Sequence, residues 1–203
     1  MESETSNVRN AVVLNGLVLI GGRSTRMGRD KSLLTYHEKN QREHMTDLLS
    51  PYCDTVFWSV NKQQALELAD SGQPLIVDAI DNLVGPLNGI MSAFKTQPGA
   101  AWLVVACDMP LLTSRTFDAL LAGRNSAKPA TAFYDSDGRF PEPLLALWEP
   151  SVWPLLQEAV AAGRYSPRQM LMLTDAHLLT PPDVQELLNI NDPVAQVALK
   201  HQG

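Results

Sequence analysis

Short apolar runs rich in β-branched residues, each followed by a segment with helical spacing, recur along the chain, and this alternation constrains the fold more than any other feature. Five runs read as strands: residues 16–20, 55–60, 74–78, 102–107 and 131–134. The first four are nearly continuous in hydrophobicity, as a strand must be when helices cover both faces of its sheet. Between them helices are expected at 42–49, 64–69, 88–96 and 114–122, with Ser114 as the cap of the last. Asp135-Ser136-Asp137-Gly138 reads as a hairpin turn, so the βα order gives way there to an antiparallel excursion. The C-terminal third is mostly helical in pattern, at 152–162, 167–173 and 182–188. The fold class that follows is α/β: three layers, α/β/α, around a mainly parallel sheet with a short antiparallel excursion.

A chain of 203 residues can bury one full core and is short for two domains of ordinary size. A single domain from residue 11 to 203 is expected, preceded by a polar, loosely ordered tail over residues 1 to about 10. The formal net charge of −6 argues against a nucleic-acid binder and for a small partner. Cys53 and Cys107 lack the C-x-x-C spacing of redox or metal sites and read as buried core thiols. The apolar run from Ala11 is a poor signal peptide, because Glu2 and Glu4 stand where basic residues belong and Asn15 and Gly16 interrupt it. No apolar stretch is long enough to span a membrane, so a cytoplasmic protein is expected.

The chemistry concentrates after the first strand, in Gly21-Gly22-Arg23-Ser24-Thr25-Arg26-Met27-Gly28-Arg29-Asp30-Lys31. The glycines permit a tight turn and close approach of the backbone to a ligand, and Ser24 and Thr25 add hydroxyl donors. Four basic residues against Asp30 give the segment a formal charge of about +3 inside an acidic protein, which focuses the field on an anion. A loop at the carboxyl end of a strand is where open α/β sheets bind ligands, and polyphosphate is the natural one. The spacing matches neither a P-loop nor a dinucleotide fingerprint. Asp108 ends the apolar run 102–107 just before Met109-Pro110 and would face the same crevice. Aspartates at strand ends often cap turns; beside the glycine loop, an oxygen ligand for Mg²⁺ shared with phosphate is the preferred role. Lys31 would neutralise charge on a triphosphate. His37, His44, His177 and His201 show no ligand spacing, and Met170, Met172, Trp148 and Trp153 read as core.

The G-G-x-S-x-R-M-G-x-D-K order after a strand resembles the opening of the MobA-type molybdenum cofactor guanylyltransferases, within the nucleotidyltransferases that share a nucleotide-diphospho-sugar-transferase-like α/β fold. The resemblance continues through Asp78, Gly85-Pro86-Leu87-Asn88-Gly89-Ile90, Cys107-Asp108-Met109-Pro110, Pro141-Glu142-Pro143-Leu144 and Asn189-Ile190-Asn191, from residue 17 to about 193. It implies that the main chain of Leu19, Ile20 and Gly21 and the side chain of Asp78 contact base and sugar, with Gly22, Ser59 and Gly85 alongside. It also implies that Lys31 and Asp108 are the catalytic pair, that Asp108 binds the metal, and that Gly89, Asn189 and Asn191 lie on the acceptor side. The sequence departs from the pattern at Ile20, where alanine is usual, around His37-Glu38-Lys39-Asn40, where a G-K-P turn is missing, and at Ser59, where some relatives carry asparagine.

The activity implied is in-line attack by the terminal phosphate of molybdopterin, in its molybdenum-loaded form, on the α-phosphorus of GTP, with Mg²⁺ as cofactor and pyrophosphate leaving. That nucleophile is already anionic and needs no strong general base. Other cofactor-biosynthesis or acceptor proteins are the implied partners, with no nucleic acid and no membrane. A cytidylyl or other nucleotidyl donor, on molybdopterin or on a sugar or isoprenoid phosphate, is the nearest alternative; Gly21-Gly22 favours GTP, since the cytidylyl branch tends to carry A-G. A non-catalytic nucleotide-binding module of the same fold would be expected to lack Lys31 or Asp108, and both are present.

Overall fold

Strand β1 (Leu14–Leu19) is buried along its whole length, and its side chains divide between two cores. Leu17 and Leu19 join one apolar cluster, while Leu14, Val18 and the following Ile20 join a second on the opposite face. The period of two along a strand makes this division. A strand apolar on both faces requires a cover on each, and the chain supplies it.

The computed structural model describes residues 12–20, 35–37 and 39–189. After β1 come β2 (Thr35–His37) and β3 (Lys39–Asn40), a small antiparallel ribbon, then α1 (Gln41–Leu49), β4 (Thr55–Val60), α2 (Lys62–Glu67) and β5 (Leu75–Val77). Helix α3 (Pro86–Thr96) leads to β6 (Ala101–Ala106), and α4 (Ser114–Ala122) to β7 (Ala130–Tyr134) and β8 (Pro141–Trp148). Helices α5 (Trp153–Ala161) and α6 (Pro167–Leu173), strand β9 (His177–Leu179) and a 3-10 turn at Val184–Leu187 complete the order.

The main sheet has seven strands in the order β5-β4-β1-β6-β8-β7-β9. The first four run parallel, β8 is antiparallel to both neighbours, and β7 and β9 are parallel to each other. Helices α1 and α4 pack Met45, Leu49, Phe117 and Leu120 on the Val18 face. Helices α3, α5 and α6 pack Leu87, Ile90, Leu156 and Met170 on the Leu17 face. The result is the three-layer α/β/α architecture expected, with one antiparallel strand inserted. The strand order reverses direction at β1, so the switch point of the sheet lies between β1 and β6.

Several details differ from the sequence reading. Strands β2, β3 and β9 are not marked in the sequence, and β8 shows there only as the return of the hairpin; Pro141 and Pro143 mask its extent and are tolerated because Pro141 opens the strand and Pro143 falls where its pairing with β7 is irregular. The segment 182–188 is a single 3-10 turn rather than an α-helix, with Asp183 accepting from the Gln185 N–H at 2.9 Å. Ser114 is not the cap of α4: Thr113 occupies that position and makes no side-chain cap bond. Helix α3 begins two residues before the expected start at 88, since Pro86 is its first residue, where its missing N–H costs nothing. Met172 is 54 % exposed although Met170 is fully buried. Two residues apart on a helix, they face opposite ways. Cys107 is buried and Cys53 only half-buried, against the Val18-face core.

Candidate active site

The carboxyl ends of β5, β4, β1 and β6 form one edge, and the register places the expected site residues along it. Leu19 is level with Ser59 of β4 on one side and with Ala106 of β6 on the other. Past the strand end, the Ile20 N–H donates to the Ser59 carbonyl at 3.3 Å and the Cys107 N–H to the Leu19 carbonyl at 3.3 Å. The Asp78 N–H donates to the Val60 carbonyl at 2.9 Å. Asp78 and Asp108 therefore stand on one edge, three strand spacings or roughly 14 Å apart, with the β1 terminus between them. Both are half-buried, and burial raises the Asp78 carboxyl above its ordinary value. The Ile20 side chain is buried in the core, so the departure from alanine leaves its main chain at the edge.

Helix α3 closes the end of this edge formed by β5, β4 and β1. Gly85 precedes it with φ 86°, a left-handed conformation that disfavours any side chain. Gly89 is buried against β4 and β1, where a Cβ would fall within contact distance of the Ser59 hydroxyl and 3.1 Å from Leu19 Cδ2. Its missing side chain lets α3 close onto the sheet.

At the other end, β8 begins beside Asp108. Its pairing with β6 runs as far as Val105 opposite Leu145, and Asp108 lies close enough to Glu142 to act on its carboxyl. Burial pushes the Glu142 carboxyl up to about 6; the Leu144 N–H and Arg168 oppose the shift, while Asp135 and Asp108 add to it. Asp135 accepts from the Arg139 and Phe140 N–H groups, closing the turn expected at 135–138, and pairs with Arg168 at 3.4 Å. In the sequence Asp135 reads only as a turn residue and Glu142 only as part of the Pro141-Glu142-Pro143-Leu144 motif, and Arg168 stands out in neither way. A carboxylate inside an apolar strand, as at Glu142, was the signal available.

Asn189 is half-buried after the 3-10 turn, and Glu186 anchors that turn. The Glu186 carboxylate accepts from the Thr113 N–H at 3.0 Å, the Thr113 hydroxyl at 2.9 Å and the Thr116 hydroxyl at 2.6 Å. It does the capping that the side chains of Thr113 and Ser114 do not, and a negative charge suits that end of α4. Gly21, Gly22, Lys31 and Asn191 lie outside the described residues.

The model of the MobA-like NTP transferase domain matches residues 16–180. The chain belongs to this family. The MobA-like domain thus runs from the middle of β1 past β9 and includes both edge aspartates. A molybdenum cofactor biosynthesis bifunctional protein from Synechocystis sp. is 35% identical over 180 residues, 89% of this chain and 52% of that one. The chain thus spans about half the length of that relative. A molybdenum cofactor guanylyltransferase from Serratia proteamaculans is 33% identical over 165 residues, covering 80% of each protein. The crystal structure of molybdopterin-guanine dinucleotide biosynthesis protein A from Archaeoglobus fulgidus superposes with a TM-score of 0.74 at 22% identity, over 93% of this chain and 97% of that one. The seven-stranded sheet is therefore the fold of MobA-like proteins, and the chain is a nucleotidyltransferase by family. No helix among the described residues is long and apolar enough to cross a membrane.

Proposed function

We propose that the chain transfers the guanylyl group of GTP to molybdopterin carrying molybdenum, forming the guanine dinucleotide cofactor and releasing pyrophosphate in the cytoplasm. The observation that carries this reading is the pair of half-buried aspartates, Asp78 and Asp108, flanking the β1 terminus on one sheet edge in a member of the MobA-like family. The glycine-rich, basic segment 21–31 follows that terminus in the chain.

In this reading the main chain of Leu19, Ile20 and Gly21, with Gly22, Ser59, Gly85 and Asp78, receives base and sugar. The triphosphate runs toward Asp108. An oxygen of the acceptor monophosphate attacks the α-phosphorus; the new P–O bond forms as the bond to the β-phosphate bridge breaks, and pyrophosphate leaves. Lys31 neutralises charge shifting onto that leaving group, and loop amides hold the phosphates in line. Gly89, Asn189 and Asn191 belong to the acceptor side, Gly89 by letting α3 close onto the sheet.

The residues fit Mg²⁺. Asp108, with Glu142 beside it, offers hard carboxylate oxygens, and no group of three or more His, Cys, Asp or Glu among the described residues could cage a metal. Such a sparse oxygen set suits an ion that keeps several waters and shares its sphere with phosphate. Asp108 would hold it, and when bound it supplies neutralisation of the triphosphate charge.

Binding of GTP, CTP, ATP and UTP in the presence of Mg²⁺ tests the donor. GTP is expected to bind at least tenfold more tightly than CTP, about 1.4 kcal/mol. Equal affinities, or a preference for CTP, overturn the guanylyl assignment.

A further inference from the structure

The three consecutive N–H groups that leave β5 are each held by a different neighbour. Asp78 donates to the Val60 carbonyl of β4 at 2.9 Å, Ala79 to the Ser92 hydroxyl of α3 at 2.9 Å, and Ile80 to the Asn88 side-chain oxygen at 3.2 Å. The Asn88 amide nitrogen donates in turn to the carbonyls of Ile80 at 3.0 Å and Leu83 at 2.7 Å. The Ser92 hydroxyl donates to the Asn88 oxygen at 3.1 Å, so both donors and both acceptor positions of the amide are used.

Asn88 is 4% exposed and Ser92 fully buried. An asparagine in the first turns of a helix is an indifferent helix former, and here it serves as a strand edge: it meets both polar groups of Ile80 as a neighbouring strand would. Helix α3 thereby continues the sheet's hold on the chain for two residues beyond Asp78, which sits at the junction of the two supports. A buried, fully satisfied polar network of this kind fixes one geometry, since losing any member leaves groups unpaired.

We propose that Asn88, assisted by Ser92, is a positioning residue for the nucleotide: it holds Asp78 in the orientation that receives the nucleoside of GTP. This rests on the reading of Asp78 as a nucleoside contact. It assigns the asparagine of the Gly85-Pro86-Leu87-Asn88-Gly89-Ile90 segment a role in affinity that acts only through the aspartate ten residues before it.

A double-mutant cycle on the full chain tests it, reading GTP binding by calorimetry with Mg²⁺ and no acceptor, beside thermal unfolding. Asn88→Ala is expected to weaken GTP about tenfold in the parent and to have no further effect in an Asp78→Ala background, while lowering the melting temperature equally in both. Ser92→Ala, which removes one oxygen and leaves the amide in place, is expected to weaken GTP about threefold with the same dependence on Asp78. This second cycle decides the matter if Asn88→Ala does not fold. Equal losses with and without Asp78 make the network a structural support only and overturn the proposal. If Asp78→Ala itself leaves GTP binding unchanged, the reading of Asp78 fails and takes the proposal with it.

Discussion

Gly89 of α3 faces Ser59 of β4 with no room for a side chain between them. A Cβ there would meet the Ser59 hydroxyl inside contact distance and the Ser59 Cβ at 3.1 Å. The pair brings α3 down onto the ends of β4 and β1, next to Leu19.

Gly89→Ala is therefore expected to destabilise the protein although alanine favours a helix. Overpacking costs about 1–3 kcal/mol, and the helix propensity of alanine returns about 1 kcal/mol. Adding Ser59→Ala should restore part of the loss, giving a coupling of at least about 0.5 kcal/mol in urea denaturation. Strictly additive effects would show that the two residues do not compete for one space.

Glu142 gives a dependence on pH. Its carboxyl is raised from the ordinary 4.5 to about 6, chiefly by burial. Below 4.5 it is neutral folded and unfolded; above 6 it is ionised in both, and the folded state carries the cost of a buried charge. Stability should fall across that window as pH rises, by on the order of 2 kcal/mol. Glu142→Gln keeps an acceptor for the Leu144 N–H and removes the titration. With chelator present, the variant should exceed the parent in urea stability at pH 7.5 and match it near pH 4.5; parallel curves over the range would contradict the assignment.

Lys31 and Arg29 belong to one basic segment but are expected to behave differently. Lys31→Ala should lower kcat more than it weakens GTP, since a cation beside the leaving pyrophosphate acts most in the transition state. Arg29→Ala should change neither by more than about twofold, and any loss should vanish at high salt, because a diffuse field is screened and a close contact is not. The same small, salt-sensitive loss in both variants would make the segment a general electropositive rim.

What the sequence discloses follows from how local each feature is. Strands β1, β4 and β6 are apolar on both faces and show as continuous runs; Asp108 stands out because it follows β6, and Asp78 because it ends the shorter apolar run of β5. Strand β8 is hidden because Pro141, Glu142 and Pro143 disrupt its opening, although its later residues are as buried as those of β6. Glu186 reaches Thr113 across 73 residues, and no local pattern marks a cap that comes from so far along the chain. Asn88 looks like an ordinary helical polar residue until the loop it holds is in place. The departure at Ile20 was readable only in part: the bulkier side chain is accommodated because the strand alternation turns it into the core.

Guanylyl transfer is tested most directly by following the α-phosphorus of GTP. With GTP labelled there, Mg²⁺ and molybdenum-loaded molybdopterin, the label is expected to move to the pterin product while unlabelled pyrophosphate appears in equal amount. The same experiment with α-labelled CTP should give less than about one tenth of the transfer, and Asp108→Ala should slow the transfer with GTP at least ~100-fold without unfolding the protein. Label that stays in unreacted GTP, or that moves from CTP as readily, would contradict the proposed activity.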